Sequence, residues 1–313
     1  MPELPEVHTT VEGLKKVVIG QIIKDIWSDF HLNTKHKGKD TIKNKKYFDY
    51  FKQLVVGAKI ISIERGGKNI LIHIKKNHQG LTLEKYTIVI HMKMTGHLMV
   101  GEYQFRNSKT WIAVKEGPLQ DSYNQFIHLV FSLSNNKHLV LSDMRKFASV
   151  VIFETNKLNE HKTLATLGPD ALDKKLTAKR LFEIIHQKKK MPIKSALLDQ
   201  SAIAGIGNIY SDEILWQTNI HPLSLAEKIP EKKFKEIFKV MRNILKLSIK
   251  HGGDSKSDYR NAFGEKGNFQ NFHQVYGRKG EECPKKNCLG IIKRIVVKGR
   301  SSHFCPKHQI LYK

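Results

Sequence analysis

The spacing of apolar residues divides the chain into a part with strand periodicity and a part with helical periodicity. Near the start, Val7, Val11, Leu14 and Val18 recur at helical spacing and Gly20 follows as a stop signal, which predicts an opening helix. Alternating apolar and polar residues then predict short strands. The clearest strands cover residues 70–74, 86–90, 127–131 and 138–141. Because no helical pattern intervenes, we expect an antiparallel β-sandwich or barrel.

Turn signals and irregular stretches separate these elements. Residues 134–137 predict a hairpin turn between the last two strands, and residues 101–125 lack clean periodicity and predict a long loop. Beyond Thr155 the pattern becomes helical, with one apolar stripe at residues 181–185 and a longer one at 234–245. Two glycines end the longer stripe. The polar stretch 254–267 then predicts a mobile loop.

The charge of the chain favours a polyanionic partner. Among 313 residues, 54 Lys and Arg stand against 29 Asp and Glu, which gives a net charge of +25. The basic residues gather in runs such as 188–190, although a lysine-rich composition alone could produce the same balance. No apolar run is long enough to span a bilayer and no signal peptide is evident, so we expect a cytoplasmic protein that binds nucleic acid.

The cysteines predict a metal site near the end of the chain. Cys283, Cys288 and Cys305 are the only cysteines, and His308 completes a C-x4-C-x16-C-x2-H pattern. Thiolates and imidazole are the ligands that tetrahedral zinc prefers, and four protein ligands close the site, so we predict one structural Zn²⁺. His303 competes with His308 as the fourth ligand. It lies only two residues before Cys305, which favours His308.

The first residues of the chain suggest covalent chemistry. Removal of Met1 would free a secondary amine at Pro2, and such an amine adds to a sugar carbon to give a charged iminium, an electron sink for breaking neighbouring bonds. Glu3 is adjacent and Glu6 lies one helical turn further on, so carboxylates are available to move protons. The alternative is that prolines and glutamates here are ordinary residues of a helix start.

Three segments in one order resemble formamidopyrimidine-DNA glycosylase, a family of bifunctional base-excision repair enzymes. They are PELPEV at 2–7, GIGNIY at 205–210, and VYGRKG at 275–280 before the four-ligand finger. The resemblance runs from Pro2 to His308. It implies an α+β fold with three domains: an N-terminal β-sandwich with a helix (1–155), a helical domain with a helix-two-turn-helix motif and a lesion loop (156–268), and a zinc-finger β-hairpin (269–313).

The resemblance also implies a reaction and its catalytic residues. Pro2 would attack the sugar carbon that carries an oxidised purine, expel the base and form an imine, after which elimination cuts the strand on both sides of the sugar. Glu3 matches the proton donor and Glu6 a supporting acid or base. Lys68, in a Gly-Gly-Lys turn that would otherwise be a solvated surface turn, matches the lysine of the first elimination. Arg300, placed with Gly299 at a hairpin turn, matches the arginine of the second.

Further positions match residues that contact DNA in the family. Met94, Arg145 and Phe147 match the side chains that fill the space of an extruded base, although Met94 and Phe147 could equally be core residues at strand ends. The glycines at 205 and 207 lack the third glycine of a dinucleotide site and instead predict a helix start that holds a phosphate. The positions that match backbone-contacting residues are His91, His128, Lys189, Lys194 and Asn208, although the two histidines and two lysines could instead be plain surface residues.

We therefore expect a monomeric DNA glycosylase and abasic-site lyase that acts on duplex DNA containing oxidised purines such as 8-oxoguanine. Two alternatives stay open. An endonuclease VIII-like relative would prefer oxidised pyrimidines, although the 254–267 loop favours purines. A non-catalytic zinc-finger protein would explain the charge and the finger, but it gives no reason for an amine and two carboxylates at the start of the chain.

Overall fold

This computed structural model describes residues 1–32, 40–78, 82–107, 110–160 and 162–313. The chain divides into two compact units. The first comprises Met1–Ala165 and His251–Asn268, and the second comprises Thr166–Lys250 and Phe269–Lys313. The segment 251–268 thus belongs to the sandwich unit, whereas the resemblance implied that it belongs to the helical domain. The predicted finger shares a unit with the helical residues.

The first unit contains most of the strands. Its helices are α1 (Leu4–Val18), α2 (Lys45–Val55) and α3 (Lys162–Ala165), with 3-10 turns at Pro118–Gln120, Ser122–Asn124 and Thr155–Glu160. Its strands are β1 (Ile23–Ser28), β2 (Lys59–Gly66), β3 (Asn69–His78), β4 (Thr82–His91), β5 (His97–Gly101), β6 (Tyr103–Arg106), β7 (Thr110–Ala113), β8 (Ile127–Leu133), β9 (His138–Ser142) and β10 (Ser149–Glu154). The predicted opening helix and all four predicted strands are present.

Two four-stranded antiparallel sheets form the sandwich. Their strand orders are β1-β8-β9-β5 and β10-β4-β3-β2. Residues that alternate along the strands of each sheet, such as Phe131 in β8 and Ile72 in β3, share one core with Leu14 of α1. Burial of these apolar side chains supplies the main stabilisation of the unit. The predicted antiparallel sandwich is confirmed, and the predicted hairpin joins β8 to β9.

The described residues of the segment 101–125, which are 101–107 and 110–125, form regular structure rather than a long loop. It forms the β6–β7 hairpin followed by two 3-10 turns. Trp111 of β7 lies 5.4 Å from Phe105 and 6.2 Å from Trp27 between ring centroids, so aromatic contacts hold the hairpin on the sandwich. Each strand has only four residues, and a pattern that short gives no reliable periodicity. For that reason the prediction of a loop was wrong.

The second unit is mainly helical. Its helices are α4 (Ala178–His186), α5 (Ile193–Leu198), α6 (Asn208–Gln217) and α7 (Glu231–Lys250), with 3-10 turns at Ala226–Lys228 and Phe269–Phe272, and its strands are β11 (Lys293–Val297) and β12 (Arg300–Phe304). The two predicted apolar stripes correspond to α4 and α7. Within the described part of the chain, no helix is both long and apolar enough to cross a membrane.

Candidate functional site

Pro2, Glu3 and Glu6 lie together at the buried start of α1. Pro2 is buried, and Glu3 and Glu6 are each 1 % exposed. The two glutamates form a capping box, in which the Glu3 side chain accepts from the Glu6 backbone N–H and Glu6 Oε2 accepts from the Glu3 N–H at 2.7 Å. The positive end of the helix dipole favours carboxylates at this place. One arrangement therefore caps the helix and sets two carboxylates beside Pro2.

The loop 254–267 packs against this helix start. The Asp254 backbone N–H donates to Glu6 Oε1 at 2.8 Å, and the Tyr259 hydroxyl donates to the Glu6 carbonyl at 3.0 Å. Burial raises the pKa of Tyr259, so its hydroxyl keeps the proton that it donates. Asp254 and Tyr259 are both buried. The loop is thus a packed element, and the expectation of a mobile loop is corrected.

Lys68 occupies the two-residue turn between β2 and β3. Gly67 adopts a φ of 59°, a conformation that favours glycine in such a turn. The Arg65 guanidinium donates to the Gly67 carbonyl, and the Asn69 amide donates to the Gly66 carbonyl, each at 3.0 Å. Lys68 itself is only 5 % exposed. It is therefore a buried, positioned lysine rather than a solvated turn residue.

His91 lies at the end of β4, near the turn that carries Lys68. Burial lowers its pKa to about 3, and the charges of Lys93 and Lys68 act in the same direction. Its Nδ1 accepts a hydrogen bond from the Lys93 backbone N–H at 2.9 Å, which assigns the ring proton to Nε2. His91 is consequently neutral at physiological pH and presents an N–H donor.

We expect the protein to lose stability as the pH falls from about 6.5 toward 3, with His91 contributing to the loss. The unfolded chain takes up a proton at this histidine below its ordinary pKa, whereas the folded chain takes it up only at about 3, so protonation favours unfolding. A His91→Gln variant keeps a side-chain acceptor for Lys93 and should lose less melting temperature on acidification than the parent. Thermal unfolding of both proteins at pH 7 and pH 4.5 measures this. Above pH 7.5 the difference in melting temperature between the two proteins should be constant. The same difference at pH 4.5 would contradict the prediction.

Arg145 contacts both Met94 and Phe147. Arg145 Nη1 lies 3.4 Å from the Met94 sulfur, and the Arg145 guanidinium carbon lies 4.3 Å from the centre of the Phe147 ring. Met94 comes from residues 92–96 between β4 and β5, and the other two come from residues 143–148 between β9 and β10. Met94 is 41 % exposed, so it is not a core residue. The structure brings the three predicted residues into one surface cluster.

Asp143 holds the two loops of this cluster together. Its carboxylate is fully buried and accepts a hydrogen bond from the Thr95 hydroxyl. It also accepts from the backbone N–H groups of Arg145 at 3.3 Å and Ala148 at 2.7 Å. A buried carboxylate needs such donors, because an unsatisfied one would be costly. The conformation that presents Arg145 thus depends on Asp143.

His128 is held by a charged neighbour that the sequence did not reveal. His128 Nδ1 lies 2.8 Å from Asp29 Oδ1, and Lys146 Nζ lies 3.1 Å from Asp29 Oδ2. Burial alone would raise the pKa of Asp29, but the hydrogen bonds and charges of His128 and Lys146 outweigh burial and lower it. Asp29 therefore stays ionised and orients the His128 ring.

In the second unit, Asn208 is the first residue of α6. Gly205, with a φ of 106°, and Gly207, the N-cap residue, lead into the helix, and no side chain forms a capping hydrogen bond at its start. The first backbone N–H groups of a helix have no partner within the helix, so this start can accept an anion. The predicted helix start at the two glycines is confirmed.

Lys194 is placed differently from the prediction of a phosphate contact. Its side chain is fully buried, and Nζ lies 2.6 Å from Asp212 Oδ1 and 3.2 Å from the Asn208 carbonyl oxygen. Breaking a buried ion pair is costly, so the ammonium group does not reach a phosphate from this position. Lys194 instead fixes the start of α6. Lys189, by contrast, is exposed.

Arg300 is exposed and is the first residue of β12. The turn before it consists of Lys298 and Gly299, with φ values of 44° and 77°. Two consecutive positive φ values are typical of tight hairpin turns that match the twist of the strands. The predicted hairpin is confirmed, with Arg300 beginning the second strand rather than standing in the turn.

Four side chains at the base of this hairpin could hold a metal ion. One ligand atom from each lies within 4.8 Å of all the others, and the four residues are Cys283, Cys288, Cys305 and His308. His308 Nε2 lies 3.3 Å from the Trp216 carbonyl oxygen, which leaves Nδ1 to face the sulfurs. The choice of His308 over His303 is supported, because His303 lies outside this cluster and its Nδ1 lies 3.2 Å from Asp212.

Comparison with known proteins identifies the family. The formamidopyrimidine-DNA glycosylase N-terminal domain matches residues 1–150, and the formamidopyrimidine-DNA glycosylase H2TH domain matches residues 167–260. The chain belongs to the formamidopyrimidine-DNA glycosylase family. Its relatives include the formamidopyrimidine-DNA glycosylase of Lactobacillus acidophilus, 34% identical with 100% of both chains covered, and that of Bacillus subtilis, 32% identical with 99% of both covered.

Solved structures of family members have the same fold as this chain. The complex of the Lactococcus lactis protein with DNA that contains an abasic site has a TM-score of 0.78 at 28% identity, and it covers 98% of this chain and 99% of that one. The Thermus thermophilus protein has a TM-score of 0.76 at 28% identity and 98% coverage of each chain. The predicted α+β fold of the family is therefore confirmed.

Two carboxylates of α6 that sequence reasoning missed organise the second unit of this glycosylase. Asp212 accepts hydrogen bonds from the Ser302 hydroxyl at 2.7 Å and the His303 backbone N–H at 2.9 Å, so it holds β12. Glu213 accepts from the backbone N–H groups of residues 274–276 at 2.8 to 3.1 Å. Both carboxylates are buried in α6, in which every residue from 209 to 216 is buried. Two adjacent acidic residues in such a helix were the sequence signal that could have identified them.

Proposed function

We propose that this glycosylase removes oxidised purines such as 8-oxoguanine and formamidopyrimidines from duplex DNA and then cleaves the strand at the abasic site. The observation that carries the proposal is the buried capping box, which sets Glu3 and Glu6 beside Pro2 at the start of α1. Relatives support it, since solved complexes contain a mutant of the Lactococcus lactis protein with Fapy-dG DNA and the Lactococcus lactis protein with abasic-site DNA. The proposed setting is the bacterial cytoplasm, with the protein acting as a monomer.

The first chemical step uses the amine that removal of Met1 would free. The Pro2 nitrogen bonds to the sugar C1′ while the bond from C1′ to the base breaks, and Glu3 donates a proton during this step. Opening of the sugar ring leaves a positively charged iminium between Pro2 and C1′. Glu6 supports the step, because it accepts the Glu3 N–H and so fixes the helix start that carries both reacting groups.

Strand cleavage follows from the iminium. Its positive charge makes the hydrogens on C2′ acidic, so loss of one proton expels the 3′ phosphate, and a second elimination expels the 5′ phosphate. We assign the first elimination to Lys68, whose buried position near His91 fits a placed amine rather than a surface contact. We assign the second to Arg300, which is exposed at the start of β12 and can pair with a phosphate.

The cluster of Met94, Arg145 and Phe147 is the proposed support for base extrusion. Taking a base out of the stack costs a few kcal/mol, and side chains that fill the vacated space offset part of that cost. These three residues combine apolar surface with a guanidinium in one contacting group, and Met94 is well exposed. We assign backbone contacts to His91, His128, Lys189 and Asn208, and an indirect contribution through α6 to Lys194.

The metal proposed for the four-ligand site is a structural Zn²⁺. In a tetrahedral zinc site, two sulfurs lie about 3.8 Å apart and a sulfur and a nitrogen about 3.6 Å apart. Cys288 Sγ lies 3.6 Å from Cys305 Sγ and 3.5 Å from His308 Nδ1, and Cys283 Sγ lies 3.5 Å from His308 Nδ1. The donor set and its spacing therefore fit zinc, which would brace the hairpin that carries Arg300.

A panel of damaged duplexes tests the substrate class. Under single-turnover conditions, we expect excision of 8-oxoguanine and formamidopyrimidine to be at least about tenfold faster than excision of thymine glycol, since discrimination of 1.4 kcal/mol gives that factor. The control is an undamaged duplex of the same sequence. Faster cleavage of thymine glycol would favour the endonuclease VIII-like alternative, and tight binding without any cleavage would favour the non-catalytic binder.

A further inference from the structure

Arg260, in the loop 254–267, has a buried guanidinium that no step of the proposed reaction uses. It is 1 % exposed, which is rare for an arginine. Nη2 donates to both carboxylate oxygens of Asp121 at 3.0 and 3.1 Å, and Nη1 donates to the Tyr259 carbonyl at 2.9 Å. The guanidinium carbon also lies 4.8 Å from the centre of the Tyr123 ring. Arg260 thus joins its own loop to the segment 101–125.

The charges of this pair are both retained. Burial alone would raise the pKa of Asp121, but a hydrogen bond from the Tyr123 backbone N–H and the Arg260 guanidinium outweigh it and lower the pKa. An arginine is protonated throughout the accessible pH range. The pair is therefore an ion pair with one fully buried partner, and removing Asp121 would leave a buried charge without its counterion.

Asn124 forms a second link between the same two segments. Its Nδ2 donates to the Gly264 carbonyl at 3.2 Å and to the Pro118 carbonyl at 2.7 Å, and its Oδ1 accepts from His97 Nε2 at 2.8 Å. A Cβ atom on Gly264 would lie 2.8 Å from the Pro118 carbonyl oxygen, so only glycine permits this approach. The loop 254–267 therefore rests directly on the segment 101–125.

These links lead to the catalytic carboxylates. Arg260 holds the Tyr259 carbonyl, while the Tyr259 hydroxyl donates to the Glu6 carbonyl and the Asp254 N–H donates to Glu6 Oε1. Glu6 in turn accepts from the Glu3 N–H. A continuous series of contacts thus runs from Asp121 to the start of α1.

The same segment is joined to the cluster that supports base extrusion. His97, which donates to Asn124, follows Thr95 by two residues, and the Thr95 hydroxyl donates to Asp143. Asp143 fixes the loop that carries Arg145. Asn124 is therefore hydrogen-bonded to the loop 254–267, which contacts Glu6. It is also hydrogen-bonded to His97 in β5, the strand that follows the residues carrying Met94.

We propose that residues 118–125, at the end of the segment 101–125, are a brace for the active site, and that Asp121, Asn124 and Arg260 are positioning residues for base excision. They hold the loop 254–267 in the conformation that fixes Glu6. The inference rests on the proposed function, since it assigns its effect to the step that uses Glu3 and Glu6. It gives a role to the segment 101–125, whose sequence pattern indicated none.

The test compares Arg260→Leu, Asp121→Asn and the double variant in single-turnover excision of 8-oxoguanine. We expect each single variant to lower the rate constant at saturating enzyme by about tenfold or more, since small displacements of catalytic groups have effects of this size. Affinity for abasic-site DNA should stay within about threefold of the parent, because no phosphate contact is removed. The double variant should be no slower than Arg260→Leu, because both changes break one interaction. Arg260→Lys, which keeps the charge, should recover part of the rate.

A matched control lies on the same segment. Glu102 pairs with Lys115 at 2.8 Å on the surface, so Glu102→Gln should leave excision unchanged. Hydrogen exchange adds a readout independent of activity: Arg260→Leu should increase exchange in peptides covering 254–267 but not in those covering β3 and β4. An Arg260→Leu protein with parental excision and exchange would overturn the brace, as would an equal loss in Glu102→Gln. A parent without excision would overturn the proposed function instead, while the exchange result would still report on the brace.

Discussion

A Pro2→Gly variant is expected to lose base excision and the covalent adduct that borohydride traps on damaged DNA, each by at least about 100-fold. The secondary amine of proline can form a carbon–nitrogen double bond only as a charged iminium, whereas the primary amine of glycine gives an imine that loses its proton. Denaturing gels of trapped, labelled duplex measure the adduct, and fluorescence anisotropy measures affinity. DNA affinity should stay within about threefold, because the changed group forms no phosphate contact.

Two further variants separate catalysis from helix structure at this site. Pro5→Ala changes another proline of the same helix start and should keep the adduct. Glu3→Gln keeps an oxygen that can accept from the Glu6 N–H, so the cap survives, but it cannot donate a proton as an acid does, and excision should fall about 10²- to 10⁴-fold. Full excision by Pro2→Gly, or by protein that retains Met1, would refute the proposed nucleophile. A pure binder would show no change in any variant.

Removal of the proposed Zn²⁺ is expected to weaken DNA binding by at least about tenfold while the first unit stays folded. Zinc contributes on the order of 10 kcal/mol or more to the folding of isolated fingers, so the hairpin β11–β12 should loosen without it. Asp212 still holds Ser302 and the His303 backbone, which should confine the change to the base of the hairpin. Metal content by mass spectrometry, the fluorescence of Trp216 beside Cys283, and DNA affinity before and after chelation measure the effect.

The two candidate histidines provide the matched pair for this experiment. His308→Ala should lower the bound metal and the DNA affinity together, because His308 Nδ1 faces Cys283 and Cys288 at 3.5 Å. His303→Asn should keep the metal, since His303 contacts Asp212 rather than the sulfurs. Equal loss of metal in both variants would contradict the ligand assignment. Undiminished DNA affinity in metal-free protein would contradict the role of the metal.

Side-chain periodicity predicted the regular elements well where they are long. The helix α1 and strands such as β4 have enough residues for an apolar face to repeat, so burial of that face is visible in the pattern. The hairpin β6–β7 has four residues in each strand and was missed. The loop 254–267 looked polar and mobile, but the Arg260 side chain is buried there because Asp121, which is distant in sequence, accepts its hydrogen bonds.

The chain alone determined which chemistry is available: an amine with two neighbouring carboxylates, three cysteines with a histidine at metal-ligand spacing, and an excess of positive charge. Tertiary structure alone decided how those groups are held. Lys194 turned from a predicted phosphate contact into a buried partner of Asp212, and Asp121 became the ion-pair partner of the buried Arg260. The reason is physical: local spacing encodes residue type and periodicity, whereas the partner of a buried charge is set by tertiary contacts, which can join residues more than a hundred positions apart, as in Arg260 and Asp121.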